Sequence, residues 1–175
     1  MDDLIYNLNN TALTLTACLP LMGVIFILLT RSEIIIKFLA LATTLATFFV
    51  SLPIYRYFDK TTYKMQFVEI YQWVPKWNIN YKVGVDGISV LFVFLVTVLS
   101  ILCVTVSWKS VQHKLKEFFV ALLVLETAMI GIFISLDAFL FYLFWELTLI
   151  PMFLLIGVWG GQKRIYSAVK FVLFM

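Results

Sequence analysis

Charge is what this sequence has least of. Only 13% of its 175 residues are charged, 63% are hydrophobic, and the mean hydropathy is +1.01. A soluble domain carries roughly 25% charged residues, so the composition excludes that class and points to an integral membrane protein. The net charge of +3 is small and spread over loops, which leaves nucleic-acid binding without support. Histidine occurs once, as His113, in a basic stretch where a solvated side chain is expected. The two cysteines, Cys18 and Cys103, have neither metal-ligand nor redox-pair spacing and read as small apolar fillers. The sequence has no Ser/His/Asp set, no paired metal ligands and no phosphate-binding glycine loop, and so gives no basis for bond-making catalysis by this chain alone. Residues 1–10 have no basic stretch and no small-residue cleavage site follows, so the first apolar run is expected to be a retained helix.

What the sequence does have is long apolar runs. A run of about 20 residues spans a bilayer core of roughly 30 Å as a helix. Spans are expected at about 11–30, 34–54, 83–107, 118–135 and 138–159, with an incomplete one from about 167. The fold class is therefore an all-α integral membrane protein with five complete transmembrane helices plus the start of a sixth. The stretch 55–82 is the long polar connection, rich in aromatic rings that suit a membrane–water interface. Within it, 67–74 roughly alternates apolar and polar side chains and Lys76–Asn80 offers turn residues, which predicts a short β-hairpin. Residues 1–175 read as one domain. A chain ending about 9 residues into an apolar helix is expected to be a fragment or one half of a split protein, since about 20 are needed to cross.

Orientation follows from lysine and arginine placement. One side receives Arg31, Lys37, Lys109, Lys114, Lys116, Lys163 and Arg164. The other holds the acidic N-terminus, the loop around Asp137 and the 55–82 loop, although that loop also carries Arg56, Lys60, Lys64, Lys76 and Lys82. The assignment places the N-terminus outside and the 31–37, 108–117 and 160–165 loops inside.

Four charged residues lie in or near the predicted spans. Glu146 sits near the middle of AFLFYLFWELTLIPMFLLIGVWG, five residues before Pro151. A mid-membrane acid of this kind costs about 2.5–3.5 kcal/mol on insertion scales and is tolerated when protonated, paired or facing a water-filled path. The alternative is a polar tether between helices. Pro151 also frees the carbonyl of Leu147, beside the acid, for a water or a partner. Glu126 is the second acid. Ala121, Ala128, Gly131 and Ser135 form a small-residue stripe on its helix, and Glu126 lies roughly opposite that stripe. It must face a second neighbour or a hydrated crevice, and relay and tether roles weigh about evenly for it. Lys170 is separated from Glu146 by roughly 12 Å along the membrane axis and is expected to snorkel to the inner interface. Glu146 is thus left without a cationic partner in this sequence. Asp86, in GVDG at the mouth of the third span, completes the set.

The stretch FLFYLFWELTLIPMFLLIGVWGGQKRIYSAVKF, with GVDGISVLFVFL upstream and SWK after the third span, resembles the antiporter-like membrane subunits of respiratory complex I, NADH:quinone oxidoreductase. The match is best from Gly84 to the C-terminus, about half the chain, and the first two spans fit by position alone. The resemblance implies that Glu146 is the fifth-span acid of a proton half-channel. It further implies a fold of about fourteen helices with two inverted repeats of five, and an essential lysine on a broken seventh helix beyond Met175. Glu126 receives no role from it, and Asp86 falls on a motif of structural character. NADH, FMN, iron–sulfur clusters and quinone would be bound by other subunits, with no cofactor or metal on this chain. Partners would be other membrane subunits of complex I, the remainder of this subunit and the lipid bilayer. The location would be the bacterial inner membrane or the mitochondrial inner membrane. Two other readings stay open: an antiporter-like subunit of a cation/proton antiporter or membrane-bound hydrogenase, and a structural or assembly subunit without pumping.

Overall fold

The computed structural model describes residues 2–77 and 79–175. Helix α1 covers Asp2–Leu29 and α2 covers Glu33–Arg56. Strands β1 (Gln66–Val74) and β2 (Ile79–Val85) follow, joined across a 3-10 turn at Pro75–Trp77. Then come α3 (Gly87–Ser110), α4 (Leu115–Ile134), α5 (Ala138–Trp159) and α6 (Arg164–Phe174). Five of these helices are long and apolar enough to cross a membrane: Thr11–Leu29, Glu33–Arg56, Gly87–Ser110, Leu115–Ile134 and Ala138–Trp159. Helices suit that setting because every interior backbone polar group is satisfied within the segment. The expected class, an all-α membrane protein with a small hairpin and the start of a further helix, is the one observed.

Two expected boundaries need correction. Residues 83–85 do not begin the third span, because they pair in β2 opposite β1. The helix starts only at Gly87, where the Asp86 carboxylate accepts the N–H groups of Ile88 (3.1 Å) and Ser89 (2.7 Å) and fixes the N-terminus. The last helix begins at Arg164 rather than 167: Arg164 N–H bonds Gly161 O and Ser167 N–H bonds Lys163 O. Its first turn is built by backbone bonds through polar residues, before the apolar run starts.

Helix α4 is the hub. It packs against α1, α3 and α5 and touches α2, whereas α6 rests on α5. Two separate apolar cores form around it. The outer one gathers Leu13, Ile54, Val83, Val93, Ile130 and Leu140, and so includes the hairpin. The inner one gathers Ile27, Ile36, Val104, Leu115, Phe119 and Leu123. Small residues set the spacing. A methyl group on Gly131 would overlap the Phe144 ring across α4–α5, and one on Gly23 would overlap Thr43 across α1–α2.

The two ends differ in chemistry. At the end expected to face inward, cations close helix C-termini, whose last carbonyls have no intrahelical donors. Lys116 Nζ donates to Leu28 O (2.6 Å) and Thr30 O (3.0 Å), Lys37 Nζ to Trp108 O (2.8 Å), and Arg164 Nη1 to Val158 O (2.8 Å). Trp159 Nε1 donates to the carbonyl of His113 (3.0 Å), tying α5 to the α3–α4 loop. At the outer end the antiparallel hairpin docks on the α4–α5 turn: Leu136 N–H donates to Lys82 O (2.9 Å), and Val83 bridges Ser135. The 31–37, 108–117 and 160–165 loops therefore share one end, with the hairpin and Asp137 at the other.

Candidate functional site

The two intramembrane acids stand at matching depth. Each lies about eight residues, or about 12 Å, from the α4–α5 turn, because the antiparallel helices count away from the same point. The fold nevertheless separates them by face. Glu146 is exposed on α5, a helix whose buried residues are Leu140, Thr148 and Pro151. Tyr142, one turn earlier, interacts electrostatically with its carboxyl group. Pro151 lies inside a continuous helix and is itself buried, and Thr148 Oγ1 donates to Trp145 O (2.7 Å) on that turn. An exposed carboxyl at mid-depth is costly against lipid, so this face of α5 suits a protein or water neighbour.

Glu126 is only 2% exposed, inside the interface of α4 with its neighbours. Neither carboxyl oxygen has a hydrogen-bond partner among the described residues, and the same holds for Thr127 Oγ1. Ser100 of α3 is the side chain that interacts with it. Of the two settings expected opposite the small-residue stripe, a second neighbour or a hydrated crevice, the helix that meets Glu126 there is α3.

Lys170 and Glu146 are not brought together. Lys170 is exposed on α6 with its ammonium 5.8 Å from the centre of the Phe174 ring. Asp86 is a helix cap, and the Ser89 N–H holds its carboxyl below the usual carboxylate range. His113 lies at the inner surface, its ring 6.2 Å from that of Trp159.

A second buried acid escaped the sequence reading. Glu69 of β1 is 3% exposed and accepts the N–H groups of Leu13 (2.9 Å) and Thr14 (3.3 Å) as well as the Thr14 hydroxyl. Tyr81 Oη lies 3.0 Å from Thr14 Oγ1, and burial pushes this phenol above its ordinary value. A polar residue in an alternating strand is expected to face water, but the strand is not regular. Phe67 has φ 53°, a left-handed conformation that non-glycine residues seldom adopt, and the pairing register shifts between Gln66 and Glu69. One signal was visible: Glu69 shares its strand face with Phe67, Tyr71 and Trp73, an odd place for a solvated acid.

Five helices long and apolar enough to cross a bilayer define the class as a multi-pass membrane protein. Residues 135–175 match the family model described as NADH:quinone oxidoreductase/Mrp antiporter, TM. NADH-quinone oxidoreductase subunit M of Rhodobacter capsulatus is 51% identical over 138 residues, covering 79% of this chain and 26% of that protein. NADH-ubiquinone oxidoreductase chain 4 of Arabidopsis thaliana is 43% identical over 162 residues, covering 91% of this chain and 33% of that protein. Among solved structures, respiratory complex I from Thermus thermophilus with bound NADH aligns with a TM-score of 0.77 at 25% identity, covering 93% of this chain and 32% of the matched one. The resemblance to the antiporter-like membrane subunits of complex I is thereby shown in sequence and in fold. With relatives in bacteria and mitochondria, the chain is a multi-pass inner-membrane protein. It spans about a quarter to a third of the length of these relatives.

Proposed function

We propose that this chain is part of a membrane-arm subunit of NADH:quinone oxidoreductase that carries protons across the inner membrane as electrons pass from NADH to quinone. NADH, FMN, iron–sulfur clusters and quinone belong in this reading to other subunits, and the enzyme is the complex. This chain supplies a proton relay, Glu146. The observation that carries the reading is the placement of that carboxyl: mid-depth, turned outward, and with no cation beside it among the described residues. A relay acid needs a neighbour that trades charge with it, and the exposed face of α5 offers the acid to the remainder of the subunit or an adjoining one. Glu126, turned inward, is not on that surface. The family description also names Mrp antiporters, so a cation/proton antiporter subunit is the second reading. A structural subunit without pumping is the third.

Glu146→Gln separates these readings, since the amide keeps size and hydrogen bonding but cannot cycle a proton. In the assembled, reconstituted complex it is expected to abolish most proton pumping per NADH oxidised while assembly is retained. Normal pumping per assembled complex would end the relay reading and favour a structural role.

A further inference from the structure

The middle of the bundle is polar where a hydrophobic core is expected. On α2, α3 and α4 the residues between the outer and inner apolar cores include the buried side chains of Thr47, Ser51, Thr97, Ser100, Glu126 and Thr127. Most of these hydroxyls are accounted for locally. Thr47 donates to Thr43 O (3.0 Å), Ser51 to Phe48 O (2.7 Å) and Thr97 to Phe94 O (2.9 Å), the usual way in which spans accommodate them. Glu126 and Thr127 have no such account. An ionised, unpartnered carboxylate there would cost several kcal/mol, whereas a neutral acid hydrogen-bonded to water would not. No charged group of α1, α2, α3 or α5 interacts with Glu126 among the described residues: Ser100 is the side chain that does, and Glu146 is turned outward.

The layer is closed by apolar core on both sides, with Ile54, Val93 and Ile130 standing outward of it. Inward of Glu126, Leu123, Phe119 and Val104 close the interface as apolar core. Outward, Ser100 is followed one turn along α3 by Thr97, whose hydroxyl lies 3.5 Å from that of Ser51 on α2. One turn beyond Ser51, Tyr55 lines a cleft together with Lys60, Asp86, Gly87 and Val90 at the outer surface. We propose that the α2–α3–α4 interface holds an internal, water-binding proton site at Glu126, beside Ser100 and the polar layer of Ser51 and Thr97. The acid gives its proton to the bound water and recovers one from it, so the site stores and exchanges a proton without any net chemistry. Its use in translocation rests on the proton-carrying reading above, but its existence does not, because a different carboxyl on a different face is involved.

Two measurements on the assembled complex test it. A map of the wild-type complex fine enough to show ordered water is expected to place one within hydrogen-bonding distance of the Glu126 carboxyl and of the Ser100 hydroxyl. Absence of that water, in a map that shows others at buried polar groups, overturns the proposal whether or not any variant assembles. Infrared difference spectra are expected to show a carboxylic-acid carbonyl band that Glu126→Gln removes and that shifts promptly in D2O. No lost band, or a band that does not shift, overturns it in favour of an ionised group or a dry tether. Pumping by Glu146→Gln is read separately, so failure of either idea leaves the other standing or falling on its own result.

Discussion

Glu69, Glu126 and Glu146 are the same residue type in three environments, and the environment assigns the work. Glu69 meets two N–H groups and a hydroxyl, which together replace the water its carboxylate lost on burial. It fastens the hairpin to α1 near the start of the apolar run, about three turns inside that helix. Glu126 meets none of these and Glu146 faces out of the chain. The clasp at Glu69 gives the first prediction at this scale. Glu69→Ala is expected to destabilise the protein by about 2 kcal/mol, since buried charge-assisted bonds are lost and their donors left unpaired. Thr14→Ala should cost less, and the double variant less than the sum, because both side chains serve one contact. Thermal unfolding of the four forms in detergent measures the coupling, and strict additivity would mean that the contact contributes nothing.

Packing between helices is decided at single glycines. The α4 ridge carrying Gly131 lets the Phe144 ring of α5 lie against the backbone, with Ile130 and Ile134 on the adjoining face in the outer core. Gly131→Ala forces that ring aside, and overpacking of this kind typically costs about 1–3 kcal/mol. Reduced assembly and a lower unfolding temperature are expected, with partial recovery when Phe144→Leu is added to make room. If Gly131→Ala behaves as wild type, the α4–α5 approach is looser than described. The hairpin is held differently, by backbone bonds to the α4–α5 turn and by Glu69, so Gly131→Ala should leave its protection from hydrogen exchange largely intact.

For the whole molecule the testable property is sidedness. The cations Lys37, Lys116 and Arg164 all cap helix C-termini at one end, while the hairpin and Asp137 gather at the other. Positive loops on the inner side agree with that partition. Single cysteines at positions 60 and 114, in a chain with Cys18 and Cys103 replaced, are expected to label from opposite faces of the membrane. Position 114 should react from the cytoplasmic or matrix side. Labelling of both from one side would refute the arrangement.

The sequence by itself determined the class. A long apolar run can satisfy its own backbone only as a helix in lipid, so five spans and a hairpin were legible from composition and periodicity. It also picked out Glu146 and Glu126, because any charge inside an apolar run is conspicuous. What each acid faces was beyond one-dimensional reading, since burial depends on which helices touch. The angle between Glu126 and the small-residue stripe called for a second neighbour or a hydrated crevice without saying that α3 lies there. Glu69 was hidden for a related reason: it pairs opposite the buried Val83, and α1, more than fifty residues away in sequence, supplies its donors. The strand at Val83–Val85 was read as helix because its apolar residues run on into α3, and only pairing with β1 and the Asp86 cap set the boundary. Local chemistry fixed which segments enter the membrane. Contacts between distant segments fixed where each carboxyl points, and in a medium that cannot solvate charge, direction decides what a carboxyl does.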